Sequence, residues 1–329
     1  MQGDSERPFG VVAIGRNEGM RLKNCLASVI HQARQVVYVD SGSTDGSVNL
    51  ARDMGVAVVE LDLSIPFTAA RARNEGVARL RELVPDIRYI QFVDGDCEVV
   101  SSWLDQAVNF LAKHSDAAVV CGRRRERFPE RSVYNTLCDI EWDTPTGQTK
   151  ACGGDAMMRA DAFAAVQGYR ASLIAGEEPE LCVRLRAAHW KIWRIDGEMV
   201  LHDANMTRFS QWWKRTLRAG HAYAEGASLH GSSAERHWIK EVRSNWWWGL
   251  SFPVILLAAS LQPVLLILIL LYPLQMWRIY QKSNLHRTPY ERKLFAIFCV
   301  LAKLPLMLGQ LKFNLNAMIG KSSRLIEYK

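Results

Sequence analysis

The sequence predicts an α/β protein with a mostly parallel central sheet, followed by C-terminal helices that associate with a membrane. Three observations carry this expectation. Short apolar runs alternate with helical patterns from Phe9 onward, one of these runs (Arg88–Val93) ends in two carboxylates around a glycine (Asp94, Gly95, Asp96), and Leu250–Trp277 carries no charge. Strands alternating with helices at this spacing imply parallel pairing. Ligands of such sheets bind in the crevice at the C-terminal strand ends.

The elements follow in order. Phe9–Ile14 is a short apolar strand, Arg16, Asn17, Glu18 and Gly19 form a turn, and Leu22, Cys25, Leu26, Val29 and Ile30 repeat with helical spacing. Gln35–Val39 is a second strand ending at Asp40, after which Ser43 or Thr44 is expected to cap a helix running to about Met54. Val56–Leu61 is a third strand, Thr68–Val84 a helix, and the fourth strand ends in Asp94-Gly95-Asp96. Asp116–Cys121 reads as another strand, followed by Arg123, Arg124, Arg125 and Arg127, and Lys191–Ile195 with Glu198–Leu201 reads as a strand pair. No Gly-x-Gly-x-x-Gly follows the first strand and no Gly-x-x-x-x-Gly-Lys-Ser/Thr occurs, so a dinucleotide fingerprint and a P-loop are both excluded.

Composition narrows the function classes. The 329 residues are 49% hydrophobic and carry a formal charge of +7, of which a surplus of +8 lies from Arg278 onward, leaving the first 277 residues near −1. A basic surplus confined to the end of the chain beside an apolar segment suits an anionic membrane surface and argues against nucleic acid as a partner. The seven cysteines (Cys25, Cys97, Cys121, Cys138, Cys152, Cys182, Cys299) show no paired zinc or redox spacing and read as reduced, structural residues. Met1–Pro8 is polar without the apolar core of a signal peptide, so the catalytic part is expected in the cytosol.

Two carboxylates leaving a buried strand together, two residues apart, can share a face and attract a hard divalent cation and, through it, a diphosphate. The same tripeptide also serves as a solvated turn. An EF-hand loop is excluded, because Val99 and Asp105 stand where its Gly and Glu would be. Asp40, at a strand end, can accept hydrogen bonds from a base or a ribose. The Arg123–Arg127 run reads either as a solvated face or, leaving a strand end, as a set of planar forks suited to phosphate.

Ile14-Gly15-Arg16-Asn17-Glu18-Gly19, Val39-Asp40-Ser41-Gly42-Ser43-Thr44-Asp45-Gly46, Ala72-Arg73-Asn74-Glu75-Gly76 and Phe92-Val93-Asp94-Gly95-Asp96, in this order, resemble the family-2 glycosyltransferases, which share the GT-A nucleotide-sugar-binding fold. The resemblance covers about Phe9–Gly226. It implies that Arg16, Asn17, Glu18 and Asp40 hold the nucleotide, that Arg71, Arg73 and Asn74 flank it, and that Asp94 and Asp96 form the carboxylate motif for Mg2+ or Mn2+, with Asp94 also reaching the nucleotide. Gly153, Gly154 and Asp155 match the segment that borders donor sugar and acceptor. Glu177 and Glu178 precede a helix where the family carries a Glu-Asp pair whose second member is the base. Glu178 is the match, and Glu in place of Asp leaves Glu177 as the alternative. Pro179 and acidic residues in a first helical turn also have a complete structural explanation. His202 falls where related enzymes place a third metal ligand. Gln211, Lys214 and Arg215 loosely match the Gln-x-x-Arg-Trp acceptor motif of processive synthases, and the departures argue against processivity.

Six of the eleven tryptophans lie between Trp212 and Trp248 beside Lys214, Arg215, Arg218, Lys240 and Arg243, the composition of an interfacial belt. Leu250–Trp277 is long enough to cross a bilayer. Leu294–Leu311 is a second apolar segment interrupted by Lys303 and Pro305, and a Lys at mid-span costs roughly 2.5 to 3.5 kcal/mol. Pro263 allows a break that would make the first segment re-entrant, with Lys303 reaching the headgroups; a two-span hairpin is the other arrangement. Both leave the catalytic domain and Lys329 on the cytoplasmic face of the inner membrane. The expected organisation is a catalytic domain over residues 1–230 and a membrane-associated region over 231–329. The expected activity is metal-dependent, inverting transfer of a hexose from a UDP-sugar to a hydroxyl of a lipid-linked or glycolipid acceptor in polysaccharide or glycolipid synthesis. A nucleotidyltransferase of similar fold and a non-catalytic nucleotide-sugar-binding scaffold are the alternatives.

Overall fold

The computed structural model describes residues 7–283 and 286–321. Lys329 and the segment at 284–285, on which the two topologies differ, lie outside the described residues. The chain forms two compact units, one comprising the residues to Phe128 with Glu141–Ala204, the other Pro129–Ile140 with the chain from Asn205 on. The boundary drawn from sequence after residue 230 falls instead at the end of a helix belonging wholly to the second unit. That helix carries its apolar face against other helices of the same unit.

In the first unit the order is β1 (Phe9–Gly15), α1 (Met20–Val29), β2 (Val36–Asp40), α2 (Ser47–Asp53), β3 (Ala57–Glu60), α3 (Ala69–Leu83), β4 (Tyr89–Asp94), β5 (Cys97–Val99), α4 (Trp103–Lys113) and β6 (Ala117–Glu126). After α5 (Val133–Glu141), most of which belongs to the second unit, come β7 (Gly147–Gln148), β8 (Ala156–Arg159), α6 (Ala160–Ala165), α7 (Glu177–Ala187) and β9 (Lys191–His202). One sheet runs β3-β2-β1-β4-β8-β6-β9-β5, with β7 on β9. The ladders β3-β2-β1-β4 and β6-β9 are parallel, and β8 enters antiparallel between β4 and β6. All of β2, and all of β1 but its last residue, is buried, as continuous apolar runs covered on both faces require.

Three local expectations change. The helix after Asp40 starts at Ser47, behind Gly46 in the left-handed region and without a side-chain cap. Ser43 and Thr44 are drawn away from capping by Asn17, which donates its N–H to Ser43 Oγ (2.9 Å) and accepts the Thr44 N–H on Oδ1 (2.7 Å). The expected strand pair around Asp196 and Gly197 is a single strand, β9, because its pairing with β6 jumps from Cys121–Arg194 to Arg123–Glu198 and absorbs those residues as a bulge. Strand β8 is not among the strands the sequence predicts.

The second unit consists of α5 with α8 (Phe209–His230), α9 (Ile239–Leu261), a 3-10 segment (Pro263–Leu270) running into α10 (Leu271–Lys282), α11 (Pro289–Leu301) and α12 (Lys303–Met318). The chain breaks at Gln262, which is extended (φ −137°), so Pro263 begins a new helix instead of kinking an old one. Among the described residues, two stretches are long and apolar enough to cross a membrane, Pro263–Lys282 and Pro289–Met318. Lys303 does not reach outward as expected: its ammonium donates to Ser244 Oγ (3.1 Å) and Asn245 Oδ1 (2.9 Å) on α9.

Candidate functional site

The candidate site is built around the turn between β4 and β5. Gly95 donates its N–H to the Ile14 carbonyl (2.8 Å), which pins the turn to the end of β1. On one side stands Asp94, whose own N–H is held by Asp155 Oδ1 (2.9 Å). Its Oδ1 accepts from Arg73 (2.8 Å) and its Oδ2 from Arg124 (3.2 Å). Arg73 also pairs with Glu177 (2.7 Å) and lies over the Tyr169 ring. Arg124 also pairs with Asp155 (3.2 Å) and lies over Trp142. Burial opposes the charge on both guanidiniums, but the facing carboxylates outweigh it and hold both cations above their ordinary range. Asp94, expected at the metal and at the nucleotide, is thus neutralised by protein.

Asp96 on the other side is different. The antiparallel register pairs Cys97 with His202, which brings His202 Nε2 to 3.4 Å from Asp96 Oδ1. The opposite ring nitrogen, Nδ1, faces Glu126 Oε2 at 3.5 Å, and the ring packs edge-on against Trp142. Burial, reinforced by Arg124, lowers the His202 pKa and keeps the imidazole neutral. A neutral ring holds one proton, so one of its nitrogens meets a carboxylate as acceptor against acceptor. A cation between Asp96 and Nε2 resolves this, with Glu126 orienting the ring from behind as carboxylates do for metal-bound histidines. Oxygen and imidazole donors suit Mg2+ or Mn2+. Prospective ligand atoms of Asp96, Cys97 and His202 lie within 4.8 Å of one another, but burial and then Asp155 raise the Cys97 thiol well above its ordinary range, which leaves the other two as the donors.

The remaining expected residues divide by what already holds them. Arg16 and Asn17 are exposed on the turn after β1, and Glu18 pairs with Arg21 (2.7 Å). Asp40 sits at the end of β2, but its carboxylate accepts from Tyr38 Oη (2.9 Å) and from the Gly42 and Ser43 N–H groups (both 2.8 Å), so it shapes its own loop. Arg71 donates to the carbonyls of Asp62 (2.8 Å) and Ile65 (2.7 Å), and Asn74 holds Tyr169 by both its N–H and its carbonyl. These two side chains fasten loops. The arginine run is likewise matched: Arg123 with Asp143, Arg125 with Glu198, Arg127 with Glu98.

Gly153 has open space around it, whereas a Cβ on Gly154 would lie 2.8 Å from Arg73 and 3.2 Å from Asp94, so only glycine lets the backbone pass that ion pair. Asp155 is fully buried in the clamp on Asp94. Glu178 is 8% exposed; its Oε1 accepts from the Cys152 N–H (2.5 Å) and the Cys182 thiol (3.2 Å), and no hydrogen bond among the described residues holds Oε2. Glu177 is committed to Arg73. On α8, Gln211 Oε1 accepts from the N–H groups of Thr207 (2.9 Å) and Arg208 (3.0 Å) and closes that helix start, while Lys214 is exposed and Arg215 half-buried. Sequence reasoning missed Glu126, Trp142, Cys152 and Cys182, whose roles come from strand register and helix packing.

Residues 11–167 match the model of glycosyl transferase family 2. That stretch contains the Asp94–Asp96 turn and ends before Glu177 and His202. Glycosyltransferase AglE of Haloferax volcanii is 30% identical over 33% of this chain and 37% of its own length. Succinoglycan biosynthesis protein ExoA of Rhizobium meliloti is 28% identical over 51% of this chain and 53% of its own. The matches thus span about half or less of these relatives. Among solved structures, the mannosyltransferase PcManGT of Pyrobaculum calidifontis, in complex with GDP-Man and Mn2+, superposes with a TM-score of 0.65 at 16% identity, covering 94% of this chain and 88% of that one. Glucosyl-3-phosphoglycerate synthase of Mycobacterium tuberculosis, with Mn2+ and UDP-Glc, reaches 0.50 at 14% identity over 70% and 82%. With the fold, the strand-end carboxylates and the family match in agreement, residues 11–167 form a glycosyl transferase family 2 domain with the GT-A fold.

Proposed function

We propose that this protein transfers a hexose, with inversion, from a nucleotide-diphosphate sugar to a hydroxyl of a lipid-linked acceptor in polysaccharide or glycolipid synthesis, at the cytoplasmic face of the inner membrane. The carrying observation is the Asp96–His202 pair, a carboxylate and a neutral imidazole 3.4 Å apart at a strand end, with Glu126 on the ring's other nitrogen. A divalent ion bound there would neutralise the departing diphosphate. Asp96 and His202 would hold it, Glu126 would orient His202, and Arg73 and Arg124 would fix Asp94 and the glycine loop beside the donor. Glu178 takes the acceptor proton on Oε2 as the hydroxyl attacks the anomeric carbon, while Cys152 and Cys182 fix its other oxygen. Glu177, bound to Arg73, is the poorer base because accepting a proton would break a buried ion pair.

A UDP-sugar is the donor expected here, and GDP-sugars belong in the test because relatives of the fold include both kinds of complex. The apolar helices of the second unit supply the membrane attachment. The test is mass spectrometry of lipid extracts after incubation of the full chain with a panel of UDP- and GDP-sugars, with Mn2+, with Mg2+ and with chelator. A lipid product one hexose heavier, formed only with metal, is expected. Donor hydrolysis alone, or nucleotide transfer to the acceptor, would overturn the proposal.

A further inference from the structure

The second unit contains a cavity of about 220 Å³ lined by Tyr223 of α8, by Lys240, Glu241, Ser244 and Asn245 of α9 and by Lys303 of α12, among others. Its walls are held by near-contact of backbones. A Cβ on Gly249 of α9 would lie 2.5 Å from the Lys303 carbonyl, and one on Gly220 of α8 2.1 Å from the Leu306 carbonyl. The polar lining is therefore set in place before any ligand arrives.

Its chemistry is one-sided. Lys303 donates to Asn245 Oδ1 (2.9 Å), which fixes the amide and leaves Nδ2 as its donor end. Asn245 is only 1% exposed, yet Nδ2 has no hydrogen-bond partner among the described residues. A buried donor without a partner is destabilising, so an acceptor belongs there. Around it stand two ammonium groups and the Ser244 hydroxyl against one carboxylate, Glu241. The cavity has room for a tetrahedral oxyanion with several waters, each of about 30 Å³. Its place on α9 identifies the source. The polar turns 240–245 give way to Trp246–Trp248 and then to an outward apolar stretch in which Leu257 is 72% and Leu261 81% exposed. Polar donors, then tryptophans, then bare aliphatic surface is the order of headgroup, interface and acyl chain.

We propose that this cavity binds the phosphomonoester headgroup of a membrane lipid. The proposal rests on the membrane attachment proposed above, and the test separates the two. Flotation of the full chain is measured with vesicles of phosphatidylcholine alone and of phosphatidylcholine with phosphatidic acid, and inorganic phosphate is titrated by calorimetry. Asn245→Asp, Lys240→Met and Arg278→Gln each lower the charge by one, the last outside the cavity. Phosphatidylcholine alone should bind all four proteins equally; no binding by any of them overturns the attachment reading. Phosphatidic acid should strengthen binding of the wild type, and Asn245→Asp and Lys240→Met should lose about tenfold more of that gain than Arg278→Gln. Equal losses in the three variants would reduce the effect to surface charge and overturn the site. Inorganic phosphate bound by the wild type and not by Asn245→Asp, without a phosphatidic-acid gain, would overturn the lipid source. Thermal unfolding of each variant confirms that it is folded.

Discussion

Asp94 and Asp96 leave the same strand two residues apart, and their surroundings are opposite. Asp94 is wrapped by two arginines, each of which also pairs with a second carboxylate, Glu177 or Asp155. Asp96 faces a neutral imidazole that a third carboxylate holds from behind. Under the proposed function, the carboxylate whose charge is balanced by two arginines is architecture, and the one that faces the imidazole is the metal ligand.

The sharpest way to break this contrast is to remove each side in turn. Asp96→Ala should lower transfer about ten-thousand-fold, the several kcal/mol that a metal contributes to a leaving diphosphate. It should leave thermal stability little changed, because the Arg73 and Arg124 pairs that hold the turn through Asp94 remain. Turnover of a nucleotide-sugar panel and a melting curve check both halves. Near-normal turnover of Asp96→Ala in chelator would end the metal assignment.

Glu178→Gln keeps the side chain's shape and its contact with the Cys152 N–H but cannot take a proton. Transfer should fall about a thousand-fold with donor affinity unchanged. Glu177→Gln should be milder in turnover and worse in stability, since it leaves Arg73 with one partner fewer. If the two variants rank the other way in turnover, the base is Glu177.

On the Asp94 side the expected loss is in folding. Arg73→Gln strands Asp94 and Glu177 around a buried position, and breaking such a pair costs about 3 kcal/mol or more. Urea unfolding measures it. If Asp96→Ala proved equally destabilising, the division into a structural and a functional carboxylate would fail.

The legible part of this site was the part written in contiguous residues. Apolar runs located β1, β2 and β4, and the Asp94-Gly95-Asp96 turn stood out because charge follows a buried strand without transition. What each carboxylate does was not legible, because it depends on partners 21 to 106 positions away, such as Arg73 and His202, that only the sheet brings together. Glu126 ends β6 and reaches His202 because β6 and β9 run in parallel register, with Glu126 beside His202. The single β9 was misread for a local reason, since Asp196-Gly197 has the composition of a turn and only the neighbouring strand turns it into a bulge. Asn74 and Arg71 matched a nucleotide-site pattern, yet their side chains fasten loops, which shows that a motif can be kept for the shape of a pocket as well as for its contacts.

The smallest expected effect concerns how Glu178 is held. Cys182 lies one helical turn beyond it on α7 and donates its thiol to Glu178 Oε1 at 3.2 Å, while the Cys152 sulfur sits 3.7 Å from that of Cys182. Cys182→Ala removes this donor and leaves the Cys152 N–H in place, so the carboxylate keeps one of its two restraints. A single hydrogen bond of this kind is worth about 1 kcal/mol, or about fivefold in kcat, with KM for the donor unchanged because the nucleotide is held elsewhere. Cys182→Ser restores a donor at the same position and should recover most of the loss, although a hydroxyl packs less well than a thiol among buried neighbours and should lower the melting temperature. Recovery of kcat by Ser despite lower stability separates positioning from packing. If Ala and Ser lose kcat equally, the thiol only fills space. If neither changes kcat, Glu178 does not take the proton, and the contrast between a carboxylate held by Arg73 and one held by neutral donors would have to be read the other way round.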